Sequence, residues 1–217
     1  MKIENNINPE IEPVADKVHR LSRAALSAIP FAGSATVEIL NSIIAPPVEK
    51  RRDKWAAEVT KAINFLLEER EVTLQNLQEN EQFITTFLHA SNIAFRTHEA
   101  DKLRALKNAI VKSALPEAPE SSLQQIFLGY IDMFTAVHIR ALQQISGITA
   151  SQKEGEVILV KLLSTSGLPE HVIKQIWQDL LSRGLVQQLH TDTFGYQVMR
   201  SPLGNQFIKF ITEYELD

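Results

Sequence analysis

The chain has 217 residues, of which 44% are hydrophobic and 22% charged, a composition that excludes bulk disorder and allows one large domain or two small ones. It contains no cysteine, which excludes disulfides, thiolate metal ligands and cysteine nucleophiles together and fits a reducing cytoplasm. The net charge is −4, and residues 116–217, with 7 Lys/Arg against 11 Asp/Glu, carry the whole acidic excess. This balance disfavours a dedicated nucleic-acid-binding protein.

The first part of the sequence is predicted to form successive amphipathic helices. Apolar residues recur every three or four positions, which is the spacing of one helix face. A first helix ends near Pro30, and a second begins at Ser34 and ends at Pro46-Pro47, because proline disfavours the helical conformation in the residue before it. The apolar members of these helices are Ile11, Val14, Val18, Leu21 and Ala25, and then Val37, Leu40, Ile43 and Ile44.

Three more helices are predicted before the middle of the chain. The third begins at Pro47, where a missing amide hydrogen costs nothing, and the others begin near Asn80 and Glu99. Residues 115–122 (LPEAPESS) contain two prolines among small and acidic residues and form the best linker candidate. The predicted domains are 1–116, which is all-helical, and 117–217.

The second part is predicted to contain three helices, a β-hairpin and a final helix. The third of these helices begins at Pro169, carries Trp177 on its apolar face and ends at Gly184. Apolar and polar residues then alternate around a polar turn, as they do in a hairpin. The earlier two helices are 134–146 and 155–167, the hairpin is 185–200, and Ser201 caps the last helix.

This order of elements resembles a winged helix-turn-helix domain. The segment LLSRGLVQQLHTDTFGYQVMRSPLGNQFIKFI, residues 180–211, resembles the end of that fold: a helix, a glycine, a strand, the wing, a strand and a helix. The resemblance covers about residues 130–215 and implies a fold rather than a function, since such domains bind DNA, contact proteins or dimerise. The predicted fold class is therefore mainly α: an N-terminal multi-helix domain followed by a winged helix with a small β-hairpin.

The sequence IIAPPVEKRRDKW, residues 43–55, joins an apolar run to a basic cluster. Three interpretations are open: a solvated helix junction, a contact for nucleic acid or another anion, and a membrane-surface anchor that inserts residues 24–48 as a hairpin. The longest charge-free run there, 24–37, is shorter than the roughly 18–20 apolar residues of a transmembrane helix. The anion contact would use Lys50, Arg51, Arg52 and Lys54, and the membrane or partner contact Ile29, Phe31, Ile43 and Ile44.

The helix that reads DNA in a winged helix carries mixed charge in this sequence. Lys174, Gln175 and Gln178 have the donors that contact bases or phosphates, and Arg200 of the wing has another. Two carboxylates on the same helix, those of Glu170 and Asp179, would repel phosphates. The balance of charge therefore favours a protein or dimer contact over DNA.

No catalytic motif is present in the sequence. The eight glycines form no phosphate-binding loop, and the six histidines have no partner at the helical spacing of zinc ligands. His138 lies in an apolar-rich helix and is interpreted as a core or boundary histidine with satisfied hydrogen bonds. We therefore expect a protein that is not an enzyme, with no catalytic residue, no metal site and no cofactor.

The segment SAIPFAGSATVEILNSIIAPPVEKRRDKW, residues 27–55, is similar to abortive-infection proteins of the alpha type, which are bacterial. The resemblance implies a prokaryotic, phage-defence setting and names no chemistry. The expected protein is a non-catalytic cytoplasmic interaction or regulatory protein that acts through a protein partner or self-association, with no small-molecule substrate. The alternatives are a membrane-active effector that inserts residues 24–48 and a winged-helix DNA-binding regulator.

Overall fold

The structure, a computed structural model, describes residues 35–70, 72–145, 166–191 and 195–212. Within these residues the protein is mainly helical with one two-stranded antiparallel sheet, which confirms the coarse fold class. The helices predicted near residues 11–30 and 155–167 fall outside the described residues. The elements are α1 (Ala35–Glu69), α2 (Leu74–Glu79), α3 (Glu81–Arg96), α4 (Ala100–Ser113), α5 (Ser121–Met133), α6 (Ala136–Gln144), α7 (Glu170–Ser182), β1 (Val186–Thr191), β2 (Gly195–Arg200) and α8 (Pro202–Thr212).

α1 is one continuous helix of 35 residues where two helices were predicted. The prediction that Pro46-Pro47 ends a helix is wrong, since both prolines lie inside α1. Each proline removes one backbone hydrogen bond, but the φ angle that its ring imposes, about −65°, is itself helical. Because helical sequence flanks the pair on both sides, the chain continues through it, and a rule based on the dipeptide alone does not weigh those flanks.

The chain divides into two compact units, Met1–Ala56 and Ala57–Asp217, so the division falls inside α1. In the described residues the first unit consists of the N-terminal part of α1, and the second contains every other element. The domain boundary predicted between 116 and 117 stays a prediction about autonomous folding, and it lies within the second unit. There α4, which precedes that boundary, packs against α5 and α8, which follow it.

α4 is the central helix of the second unit. It packs against α3, α5 and α8, and its residues from Ala105 to Ser113 are buried apart from Lys107. A helix that is buried on nearly all sides belongs to the middle of a core. α3 and α4 begin where the sequence predicted, and the Asn80 side chain accepts a hydrogen bond from the Phe83 amide at 2.9 Å to start α3.

α5 was not predicted, although it supplies much of the core. Its N-cap is Glu120, whose carboxylate accepts a hydrogen bond from the Ser122 amide at 2.9 Å. Phe127 is fully buried, and its ring centroid lies 5.4 Å from that of Phe207 and 5.5 Å from that of Phe210. These contacts join α5 to α8.

The C-terminal elements follow the predicted order. α7 ends at a turn in which Gly184 has a φ of +68°, a left-handed conformation that glycine adopts without strain. β1 then pairs with β2 in antiparallel register, from Val186 opposite Arg200 to Thr191 opposite Gly195. Trp177, predicted to be in the core, is 7% exposed, which confirms that prediction.

Candidate functional site

The basic residues predicted to bind an anion lie on α1 but do not share one face. Successive residues of a helix are turned by about 100°, so Lys50, Lys54 and Arg51 fall within an arc of about 100°, and Arg52 lies about 100° beyond Arg51. Lys50 and Lys54 are exposed, whereas Arg51 and Arg52 are half-buried. The helix therefore brings three of the four cations, Lys50, Arg51 and Lys54, to neighbouring positions and places Arg52 apart from them.

The residues predicted for membrane or partner contact are described in part. Ile44 lies in α1 and is 55% exposed. The side chain of Ile43, and both Ile29 and Phe31, fall outside what the structure describes. None of the helices in the described part of the chain combines the length and apolar content that crossing a bilayer requires.

The outward face of α7 carries Lys174, Gln175 and Gln178, the residues predicted to read DNA on this helix. All three side chains are exposed. The Lys174 ammonium lies 2.6 Å from the Glu170 carboxylate one turn earlier, and this hydrogen bond is the main reason that the pKa of Glu170 is lowered. The Gln175 amide donates to the Asp179 carboxylate at 2.8 Å. Two of these side chains, Lys174 and Gln175, thus contact acidic residues of their own helix.

Arg200, the fourth predicted DNA contact in this half of the chain, is half-buried on β2 opposite Val186. Its Nε atom is buried and has no hydrogen-bond acceptor among the described residues. Burial lowers the pKa of the guanidinium. Arg200 therefore differs from the fully solvated arginines that contact phosphates.

His138, at the start of α6, has polar contacts at both of its ring nitrogens. The Thr135 amide donates to Nδ1 at 3.3 Å, which leaves the proton on Nε2, and Nε2 lies 3.4 Å from an Asp179 oxygen. The ring stacks on Phe134 at 4.9 Å and is 7% exposed. This confirms the interpretation of His138 as a satisfied core or boundary histidine.

The side chains of Thr135, His138 and Asp179 follow one another as the hydroxyl, the base and the orienting carboxylate of a catalytic triad do. The Thr135 hydroxyl lies 2.9 Å from Nδ1. However, Thr135 is the N-cap of α6, and its own amide also donates to Nδ1, so the contacts form a capping box. Burial, the largest cause, lowers the pKa of His138 and weakens it as a base. We interpret the group as a connection between α6 and α7.

Several cations surround the C-terminal end of α5. The Lys102 ammonium donates to the Asp132 carbonyl at 2.9 Å, and Arg96 contacts the Asp132 carboxylate at 2.9 Å. Lys102 is 7% exposed, and burial lowers its pKa. The Arg183 guanidinium lies about 6 Å from the ring of Tyr130. Of these cations, Lys102 satisfies a free carbonyl at the end of the helix, and all three favour the negative end of the helix dipole.

Sequence analysis did not identify Lys102, Asp132 or Arg183, because they are brought together from α4, α5 and the end of α7. The available local signal was weak: a lysine on the apolar face of α4, where lysine is seldom fully buried unless its charge has a partner. The partner, a backbone carbonyl 30 residues later, has no sequence signature.

Among the described residues no group of three or more His, Asp or Glu side chains is arranged to hold a metal ion. Comparison with protein-family models, with curated proteins and with solved structures found no match to this chain. The candidate site therefore depends on geometry alone, and the surface that geometry favours is the outward face of α7, defined as His171, Lys174, Gln175 and Gln178.

Proposed function

We propose that this protein is a non-catalytic cytoplasmic interaction protein whose outward face of α7 contacts another protein. In this proposal, α7, β1, β2 and α8 form the second half of a winged helix. The order of the four elements supports it, as do the antiparallel hairpin and the left-handed glycine that ends α7. The absence of cysteine supports the cytoplasmic location.

The observation that carries the proposal is the pairing of Lys174, the cation of this face, with Glu170. DNA binding draws most of its affinity from cations that replace the counterions of phosphates. On α7, Lys174 is held by Glu170, and Gln175 is held by Asp179. The Gln175 amide leaves the charge of Asp179 in place, so no uncompensated positive charge remains here, and the exposed His171 and Gln178 are polar. Such a surface suits a protein contact, where uncompensated charge is a cost rather than a source of affinity.

The proposal is tested by titrating the protein against fluorescent duplex DNA at low salt and measuring anisotropy. We expect no binding by the wild-type protein. The Glu170→Gln variant, in which Lys174 loses this carboxylate partner, is expected to bind DNA more tightly than the wild type, and Lys174→Gln to bind no better. Wild-type binding that falls steeply with salt, and that Lys174→Gln weakens, would instead support the DNA-binding regulator.

A second candidate function, the membrane-active effector, depends on the exposed Ile44 together with the exposed Lys50 and Lys54 on α1. It predicts salt-sensitive binding to anionic liposomes that Lys50→Gln with Lys54→Gln abolishes, and leakage that Ile44→Ser abolishes. We expect no leakage, because Ile44 is the one large exposed apolar side chain among the residues of α1 whose side chains the structure describes, and so small an apolar area does not insert into a bilayer.

The phage-defence setting is likewise a proposal, and it depends on the resemblance of residues 27–55 alone. It predicts that expression in a bacterial host reduces the number of phage plaques and that deletion of the segment restores it. Equal plaque numbers with and without the protein, over a panel of unrelated phages, would contradict this setting and leave the interaction proposal unaffected.

A further inference from the structure

One face of α5 is apolar although it is exposed. Successive residues of a helix are turned by about 100°, so four residues fall within an arc of about 60° on the side of α5 opposite its core residues. These four, the outward face of α5, are Ser122, Ile126, Gly129 and Met133. Ile126 is 48% exposed and Met133 is 51% exposed. The outward face of a surface helix is ordinarily charged or polar, so this face has the character of an interface.

Gly129, in the middle of this face, is not explained by the packing of the chain on itself. Glycine is the least favourable residue in a helix interior after proline. A Cβ atom added at Gly129 would meet no other atom within 4 Å, so no contact among the described residues needs the small size of glycine here. A second molecule that approaches the helix closely does need it, because glycine lets another side chain reach the backbone.

The order of side-chain sizes makes the outward face of α5 complementary to itself. Small and large residues alternate along it, in the order Ser122, Ile126, Gly129, Met133. When a second α5 is laid antiparallel with its Gly129 opposite Ile126, its Ser122 falls opposite Met133, because both pairs have the same midpoint along the helix. Each large side chain then faces a small one, and two-fold symmetry repeats both contacts. A parallel pair would instead set large against large and leave gaps.

The two ends of α5 carry opposite charges, and the same antiparallel arrangement brings them together. Glu120 is exposed at the N-terminal end. Arg183 lies at the C-terminal end, where its Nη2 donates to the Met133 sulfur at 2.7 Å, and it forms no ion pair with any described residue. In the antiparallel pair, Glu120 of one copy lies level with the end of α5 at which Arg183 of the other copy is placed. This charge complementarity favours a second copy over an unrelated partner.

We propose that the outward face of α5 is a homodimer interface, on which a second copy of this chain packs with its own α5 antiparallel. The face shares no residue with the outward face of α7, so the inference does not depend on the proposed function. α5 has 13 residues and is about 20 Å long. A contact of this length is at the small end of specific interfaces, so the dimer is expected to dissociate on dilution.

The first test is sedimentation velocity of the full-length protein from micromolar to millimolar concentration. We expect the wild type to change from monomer to dimer over this range. Gly129→Gln fills the space that Ile126 of the other copy occupies and is expected to weaken dimerisation about tenfold or more. Its thermal unfolding temperature is expected to equal or exceed that of the wild type, because glutamine is the better helix former and meets no neighbour in the monomer.

Asn92→Gln, at an exposed position of α3, is the matched control and is expected to dimerise as the wild type does. A wild type that is monomeric at every concentration would overturn the proposal. So would a dimer that Gly129→Gln leaves unchanged.

The second test reports the antiparallel register, since the chain contains no cysteine of its own. Ser122→Cys and Met133→Cys are prepared as separate proteins and oxidised alone or mixed. We expect a disulfide-linked dimer from the mixture and little from either protein alone, because two copies of one position lie about 16 Å apart along the helices, beyond the reach of a disulfide. Asn92→Cys mixed with Met133→Cys is the control and is expected to give none. Cross-linking of Ser122→Cys with itself, or no product from the mixture, would overturn the proposal.

Discussion

His138 is held in its neutral form, because the Thr135 amide donates to Nδ1 and burial lowers the pKa of the ring. Asp179 opposes this lowering, whereas Arg183 and Lys102 add to it. In the unfolded chain the imidazole takes up a proton near its usual pKa of about 6.5. Between that value and the lower pKa of the folded state, the unfolded state binds more protons, so stability is lost as the pH falls through this range.

We therefore predict that the urea midpoint of unfolding falls between about pH 7.5 and pH 5, and that it falls less in His138→Gln. The measurement is urea denaturation followed by circular dichroism at both pH values. His171→Gln, which replaces an exposed histidine of α7, is the matched control. An equal fall in His138→Gln and the wild type would contradict the role given to burial.

Trp177 lies on the buried face of α7. Replacing this buried side chain with alanine is expected to lower the free energy of unfolding by about 3–5 kcal/mol, because the lost apolar contacts leave a cavity. The exposed neighbour Gln178 is the control, and Gln178→Ala is expected to change stability by about 0.5 kcal/mol or less. An unchanged denaturation midpoint for Trp177→Ala would show that the tryptophan is not part of the core.

The start of α8 is fixed against the turn that follows α7. The Ser201 amide donates to the Leu185 carbonyl at 3.0 Å, and the Ser201 hydroxyl accepts from the Gly204 amide at 2.9 Å. Gly204 packs so closely on this turn that an added methyl group would overlap the Leu185 carbonyl oxygen. Only glycine fits here without moving the helix.

Gly204→Ala is accordingly expected to destabilise the protein by about 1–3 kcal/mol, although alanine is the better helix former. Asn205→Ala, at the next and exposed position, is expected to be neutral or slightly stabilising. Thermal unfolding of both variants checks this, and a Gly204→Ala protein at least as stable as Asn205→Ala would contradict the close contact between α8 and the turn.

The elements that the sequence predicts best have residues that mark where they begin or end. α7 has a proline before it and a left-handed glycine after it, and α8 has Ser201 and Pro202 at its start. The two prolines of residues 115–122 predict a linker and conceal α5, although Leu123, Phe127 and Ile131 after them have helical spacing. The Pro46-Pro47 pair predicts a helix end within α1, because a rule on proline alone does not weigh the helical sequence on both sides of the pair.

Candidate site residues were predictable where one helix face decides them. Lys174, Gln175 and Gln178 are all exposed on α7, as their spacing required. The burial of Arg200 and the exposure of Ile126 and Met133 depend on packing between distant elements. No pattern within a single element contains that information, which is why the outward face of α5 had no sequence signal.

For the whole molecule, the packing of α4 on α5 and α8 predicts how fragments behave. A fragment of residues 57–217 is expected to unfold cooperatively, because it holds the second unit entire. A fragment of residues 117–217 lacks α4, including the Asn108 side chain that donates to Ile211, and is expected to lose cooperative unfolding. Circular dichroism during thermal unfolding distinguishes them, and a cooperative, native-like transition for 117–217 would establish the boundary predicted from sequence.

We propose that the outward face of α7 contacts a protein, and photo-crosslinking from position 178 is the sharpest test of this contact. A photoreactive amino acid replaces Gln178 in cells of the source organism, and a second strain carries it at Lys209, an exposed position on α8. We predict an adduct from position 178 that protease removes and nuclease does not, with none from position 209. A nuclease-sensitive adduct from 178, or the same protein adducts from both positions, would show that this face is not a specific protein contact.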